Sequence, residues 1–306
     1  MENIAISVGD LNGVGIEIAL KAHEEVTKLC NPIYCINADL LSQATELLNI
    51  DTPKDFILNA VDGSFNINAG VVNAKSGKYS YDSFMSAISL CETGEANAVV
   101  TMPIHKEAWM MAGLDFKGHT DLLRQHFDKD AIMMLGCPEM FVALFSEHIP
   151  LKEVAASIQY KKLKQFFLDL HKDIQEEQIA VLGLNPHAGD NGVLGHEELR
   201  ITKAIKSANK MIGFEQFVGP IVPDVAFTPH FRKNYNYFVA MYHDQGLAPL
   251  KALYFDESVN ISLNLPIVRT SVDHGTAFDI AYKGEAKTLS YLNAVKSAIN
   301  LINKNI

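Results

Sequence analysis

Three histidines stand where a chain could bring them together on a metal ion. His148 follows the apolar run Phe141 to Phe145, His187 follows the run from Gln178 to Leu184, and His243 follows the run Tyr237 to Met241. Short apolar runs bounded by polar clusters read as buried strands, and α/β proteins collect their ligands at the carboxyl ends of strands. Three neutral imidazoles from three strand ends would leave positions open on a divalent ion, which is what a catalytic metal needs in order to take a substrate oxygen or nitrogen. Their spacing is long and irregular. Taken singly, each is more often a hydrogen-bonded core or surface histidine than a metal ligand, and it is the joint pattern that brings in the metal reading.

Other polar residues crowd similar positions. Gly118-His119-Thr120-Asp121 opens a helix running through about His126, which puts His119 and Thr120 at a helix N-terminus, where free N–H groups and the dipole suit an anion. Thr120 equally suits a plain helix cap. Asp224, after Pro223, is a candidate acid or base and also an ordinary turn residue. His196, at the start of a helix running to Ile212, reads as a surface residue. Toward the end, Val259 to Leu263, Pro266 to Ser271 and Asp273 to Ala277 again set polar groups at the ends of apolar runs.

The elements that must carry these residues alternate. Asn3 to Val8 reads as a buried strand, Gly9 to Gly15 as a glycine loop and Ile16 to Leu29 as a helix; a strand over 33–37 and a helix over 39–48, capped by Asp39, follow. Residues 51–78 read as irregular, 81–93 as a helix, 96–101 as a strand and 160–174 as a surface helix. This is the pattern of an α/β protein. The glycine loop lacks the G-x-G-x-x-G spacing, so it is either a tight connection or a nucleotide contact outside the Rossmann pattern.

Composition bounds the rest. With 306 residues, 48% of them apolar, the chain can bury one large core or two smaller ones. A net charge of −10 without a basic stripe argues against nucleic acid as a partner. No apolar stretch reaches the ~20 residues of a membrane span. Four cysteines without a C-x-x-C pair fit a reducing cytoplasm.

Several long runs, in order, resemble one family. Gly183-Leu-Asn-Pro-His-Ala-Gly189, Met241-Tyr-His-Asp-Gln-Gly-Leu247 and Arg269-Thr-Ser-Val-Asp-His-Gly-Thr-Ala277 are similar to segments of the 4-hydroxythreonine-4-phosphate dehydrogenases of vitamin B6 synthesis. So are the loop Gly9 to Gly15, the run Ala112 to Thr120 and Ser146-Glu-His-Ile-Pro-Leu151, so that the resemblance covers nearly the whole chain. It implies that His148, His187 and His243 bind one divalent ion, Zn, Mg or Co, completed across a homodimer interface, and that His119, Thr120, Lys251, Asn260 and Arg269 hold a small phosphorylated substrate. Lysine, arginine and neutral donors suit phosphate and carboxylate. It also implies an NAD or NADP site from Gly13, Gly15, Asp273, His274, Gly275 and Asp279. The Asp273 to Ala277 loop resembles the adenosine loop of the isocitrate and isopropylmalate dehydrogenases, whose two-domain α/β/α fold is not a Rossmann fold. Leu11-Asn12 stand where the family usually has Pro-Ala, and Asn264 and Tyr282 where it usually has Gly.

The expected organisation is a cofactor-side domain, 1–135 with 259–306, and a metal- and dimer-side domain, 136–258, with a cleft between them. The expected reaction is oxidation of 4-phosphohydroxy-L-threonine at C3, then decarboxylation to 3-amino-2-oxopropyl phosphate, with Asp224 or a metal-bound water as base. Two other activities are compatible with parts of the pattern. One is a dehydrogenase of a phosphorylated threonate or erythronate; the other is a phosphate acyltransferase on a related fold, which has no use for three strand-end histidines.

Overall fold

The computed structural model describes residues 1–175 and 178–304. Its strands are β1 Asn3–Ser7, β2 Asn31–Cys35, β3 Ile57–Asn59, β4 Ala98–Thr101, β5 Ile132–Cys137, β6 Met140–Leu144, β7 Ile179–Leu182, β8 Phe217–Ile221, β9 Tyr237–Ala240, β10 Val259–Leu263 and β11 Val268–Val272. The chain divides into two compact units, a terminal one of Met1–Lys129 with Val259–Ile306 and a middle one of Asp130–Ser258.

In the terminal unit the strands run β3-β2-β1-β4-β11-β10. All pairs are parallel except β10 with β11. Four consecutive buried residues in β1 and four in β4 match strands covered on both faces. The helix Ala74–Glu92 packs on β1, β2 and β4, and the helix Leu289–Lys304 on β4, β10 and β11. Because β2 and β4 flank β1 on opposite sides, the loops after β1 and β4 diverge at a topological switch, the place where open α/β sheets bind ligands.

In the middle unit the order is β5-β6-β9-β7-β8, with β5 and β6 antiparallel and the other pairs parallel. The helix His243–Tyr254 buries Leu247 and Leu250 against Val142, Leu144, Phe238 and Ala240. Gly246 makes that approach possible, since a Cβ there would sit 2.4 Å from Val142 Cγ1. The helix therefore starts hard against the end of β9.

Local readings shift at three places. The second helix spans Ala38–Leu48 and is capped by Asn37, whose side chain accepts from the Leu40 N–H at 2.9 Å; Asp39 lies in its first turn and is not the cap. The helix expected over 81–93 begins at Ala74, because Asn73 supplies a cap to Lys75 N–H at 2.7 Å inside the stretch read as irregular. Thr120 is no cap either: the helix His119–Phe127 starts after Gly118 with no side-chain capping bond. Among the described residues no helix is long and apolar enough to cross a membrane.

Candidate active site

Four loops leave the carboxyl ends of the parallel strands β6, β9, β7 and β8, and they carry, in that order across the sheet, His148, His243, His187 and Asp224. Sheet order thus explains the neighbours. The His148 and His243 rings lie 5.5 Å apart, tilted at 41°. The segment Pro186–Gly192, which holds His187, packs on the turn Pro223–Ala226, which holds Asp224. His148, His187 and Asp224 are exposed and His243 half-buried.

The donors suit a divalent ion. His243 Nδ1 is bonded to Asp244 Oδ1 at 2.7 Å, an arrangement that leaves Nε2 to present its lone pair outward, as carboxylate-oriented metal histidines do. Among the described residues no three His, Cys, Asp or Glu side chains gather closely enough within the chain to hold a metal. The sheet makes the histidines neighbours without closing them around a point. Lys251, farther along the His243 helix, lies with its Nζ 5.6 Å from the Phe255 ring centre.

The terminal unit carries a different kind of site. Antiparallel register pairs Asn260 with Ser271 and Ser262 with Arg269, which puts all four side chains on one face of the β10–β11 ribbon. Arg269 is only 1% exposed. Its guanidinium donates to Ser262 Oγ at 3.0 Å and Thr101 Oγ1 at 2.6 Å, and among the described residues no carboxylate pairs with it. Burial without a counter-charge pulls its pKa down to about 9. Arg269 Nε, His119 Nε2 and Asn260 Oδ1 are all buried with no hydrogen-bond partner. The His119 ring sits edge-on to Phe84, 4.6 Å between centres, and burial, with the charges of Arg269 and Lys106, holds its pKa well below the usual histidine value. Unmet buried polar groups cost stability unless something completes them, and a cation with neutral donors beside it is completed by an anion. Thr120 is buried in the first turn of the His119 helix.

The loops proposed for the cofactor are knit together in the same unit. Gly13 is buried, and a Cβ there would lie 2.7 Å from the Thr276 carbonyl, while Val14 N–H donates to that carbonyl at 3.0 Å. Gly15 is equally closed, 2.6 Å from the Val8 carbonyl. Both glycines are required by backbone packing, Gly15 against Val8 and Met102 and Gly13 against the 273–277 loop. That loop is open at its tip: Gly275 is exposed with no atom within 4 Å of a Cβ position, and the His274 ring turns back to the Gly275 carbonyl at 2.9 Å. Asp273 N–H is held by Ser290 Oγ at 3.1 Å, and Asp279 is exposed. Asn12 Nδ2 donates to Val71 O at 2.7 Å and Tyr282 OH to Leu11 O at 2.7 Å, so both departures from the family pattern act as ties on the glycine loop. Asn264 and Tyr282 have φ of 59° and 61°, the left-handed region that explains why glycine is usual there.

Sequence reasoning missed the supports. Thr101 and Ser262 orient Arg269, and Ser146, whose Oγ donates to Met241 O at 2.6 Å, ties the His148 loop to the end of β9. The alternation Asn260-x-Ser262 and Arg269-x-Ser271 was the available signal, a polar stripe on strands otherwise buried.

Comparison with known proteins identifies the family and the fold. Residues 28–298 match the family described as pyridoxal phosphate biosynthetic protein PdxA. The chain is 74% identical over 298 residues to a 4-hydroxythreonine-4-phosphate dehydrogenase of Sulfurimonas denitrificans, covering 97% of each chain. A crystal structure of the enzyme of that name from Klebsiella pneumoniae superposes with a TM-score of 0.83 at 31% identity, covering 98% of both chains. An isocitrate dehydrogenase from Methylococcus capsulatus, 11% identical, covers 100% of this chain and 87% of its own with a TM-score of 0.51. That likeness shows the fold: the α/β architecture is that of the isocitrate and isopropylmalate dehydrogenase class, not a Rossmann fold.

Proposed function

The chain belongs to the PdxA family of pyridoxal phosphate biosynthesis and is an oxidoreductase of the 4-hydroxythreonine-4-phosphate dehydrogenase type, and from that premise we propose that it oxidises 4-phosphohydroxy-L-threonine at C3 with NAD or NADP and a divalent ion. The observation that carries the proposal is Arg269, a buried cation with no carboxylate partner among the described residues, beside His119 Nε2 and Asn260 Oδ1, which are buried without a hydrogen-bond partner. This is a receptor for a phosphate or carboxylate, with Thr120 as a further donor; Lys251, on the His243 helix of the middle unit, is a further proposed substrate donor.

The middle unit supplies His148, His187 and His243 for the ion, Zn, Mg or Co, and Asp224 as the base that takes the C3 hydroxyl proton. When bound, the divalent ion acidifies that hydroxyl and the nicotinamide of NAD or NADP accepts the hydride. Gly13 and Gly15 support, and Asp273, His274, Gly275 and Asp279 contact, the cofactor. The product is a β-keto acid, 2-amino-3-oxo-4-phosphohydroxybutyrate, which loses carbon dioxide because its ketone accepts the electron pair left behind, giving 3-amino-2-oxopropyl phosphate. Large apolar side chains left exposed beside the histidine row, among them Leu151, Val193, Leu199 and Val225, support a homodimer whose second copy completes the metal site. Four free cysteines support a reducing cytoplasm.

The test is formation of reduced nicotinamide by the purified protein on addition of 4-phosphohydroxy-L-threonine and a divalent metal, with loss after chelation. Turnover of threonate or erythronate phosphate in place of the amino substrate would replace the substrate assignment and keep the chemistry.

A further inference from the structure

The loop that carries His187 has an unusual backbone and an identifiable cause. Five successive residues, His187 to Asn191, have φ between 44° and 78°, and four of them are not glycine. L residues avoid this region, and a run of them persists only where the surroundings over-determine it. At the entry to the loop a single peptide unit, the one joining Gly183 to Leu184, is gripped at both ends. Its carbonyl oxygen accepts from Gln245 Nε2 at 2.7 Å, and its N–H donates to Glu198 Oε1 at 2.9 Å.

Each of these side chains does more than close one bond. Glu198, 7% exposed in the first turn of the helix Glu197–Ile212, also accepts from Asn185 N–H at 2.7 Å and from Asn185 Nδ2 at 2.9 Å. It also crowds the middle of the loop: a Cβ on Gly189 would lie 2.6 Å from Glu198 Oε2. Gln245, two residues after His243, accepts from Met241 N–H at 2.7 Å with its other amide atom. The end of β9, which delivers His243, and the exit of β7, which delivers His187, are therefore spliced through Gln245, and the far side of the same peptide is locked by Glu198.

We propose that Glu198 and Gln245 are positioning residues that set the pose of the loop carrying His187, and hence the affinity and coordination geometry of the divalent-ion site that His187 serves. The proposal rests on the reading that these histidines hold a metal. Neither residue touches the ion. Their effect passes through the backbone at the entry and middle of the loop, so it acts on orientation and leaves the ligand set unchanged.

The experiment is a titration of metal-free protein with Co2+, followed by its d–d absorption, on wild type and four variants. Gln245→Met and Glu198→Ala each lose the grip on the peptide and are expected to bind Co2+ about 10–100-fold more weakly, with a displaced absorption band, as outer supports of metal ligands do. Glu198→Gln keeps an oxygen for both backbone N–H groups and is expected to stay within about threefold of wild type, well inside that range. Ile201→Ala removes a fully buried side chain from the same helix; it should lower the melting temperature and leave Co2+ affinity unchanged. If Glu198→Ala does not fold, Gln245→Met against Ile201→Ala decides the matter. Wild-type affinity and spectrum in both Gln245→Met and Glu198→Ala would overturn the positioning role, as would an equal loss in Ile201→Ala. A wild-type protein that does not bind Co2+ would remove the metal reading itself, and the inference with it.

Discussion

The proposed anion pocket of the terminal unit and the histidine row of the middle unit are built on opposite principles. Arg269, His119 and Asn260 are held in place before any ligand arrives, with buried polar atoms that nothing in the fold completes. His148, His187 and His243 sit on exposed or half-buried loop ends whose polar atoms water can satisfy. In the first region the cost of the site is carried by the fold, as desolvation of a cation and of neutral donors. In the second the fold carries little beyond the strained backbone at His187. The lesson is that the same substitution type should read differently in the two regions: changes in the pocket should alter stability and binding together, whereas changes in the row should alter function alone.

The largest effect should come from the row. His187→Ala and His243→Ala each remove a proposed ligand, and turnover should fall by more than the ~10–100-fold that changes around metal ligands cost. Bound metal, read by elemental analysis, should fall in parallel. Because both side chains reach solvent, the melting temperature of the metal-free protein should shift by no more than about 1–2 °C, a surface-substitution scale. A large loss of stability in either variant would break the contrast between the regions.

The pocket should behave in the opposite way. Arg269→Met removes a charge-assisted contact worth ~1.5–3 kcal/mol, and KM for the phosphorylated substrate should rise about tenfold or more. The metal-free, ligand-free variant should nevertheless melt higher than wild type. It gives up two hydrogen bonds, to Ser262 and Thr101, each worth about 1 kcal/mol, and escapes a desolvation penalty of several kcal/mol for an unpaired ion. Lys251→Met should raise KM by less, since Lys251 is only half-buried and its charge is partly screened. Steady-state kinetics reads the change in KM, and differential scanning fluorimetry of the ligand-free proteins reads the change in melting temperature. A lower melting temperature for ligand-free Arg269→Met would mean that the pocket stabilises the fold and is not strained by its empty charge.

What the sequence disclosed, and what it hid, follows the same division. The strand ends bearing His148, His187, His243 and Asp224 were readable because an apolar run that stops at a polar cluster is a local pattern. That β6, β9, β7 and β8 stand side by side was not, since strand order is set by pairings between residues far apart in the chain. Arg269 was visible only as a basic residue in a family-like run; its burial depends on Ser262, seven residues away, and on Thr101, which is 168 residues away. The misplaced cap at Asp39 arises because Asn37 stands two residues earlier and nothing local ranks one Asn or Asp above another as a cap. The helix at Ala74 reads as starting late because the stretch before it, rich in Asn, Gly and Asp, has the composition of a loop and hides the cap at Asn73.

The smallest expected effect concerns pH and bears on the pocket alone. His119 has a folded-state pKa well below the usual 6.5, first because it is buried and then because Arg269 and Lys106 repel a second positive charge. In the unfolded chain the ring takes up a proton near its ordinary pKa, so below about 6.5 the unfolded state binds more protons than the folded one. Stability linked to His119 is therefore present above that pH and is lost as the pH falls toward the folded-state value. Other groups titrate in the same range, so the informative quantity is a difference. Unfolding free energies of wild type and His119→Gln, which keeps a polar group near the position of Nε2 and cannot ionise, should run parallel above neutrality and converge or cross as the pH is lowered toward 5, with wild type losing ground. Inorganic phosphate sharpens the test. An anion beside the ring favours its protonated form and raises the folded-state pKa, so saturating phosphate should shrink the wild-type loss and leave His119→Gln unchanged. Parallel curves at every pH would mean that folding does not lower the His119 pKa, and a wild-type loss that saturating phosphate leaves untouched would remove His119 from the anion site.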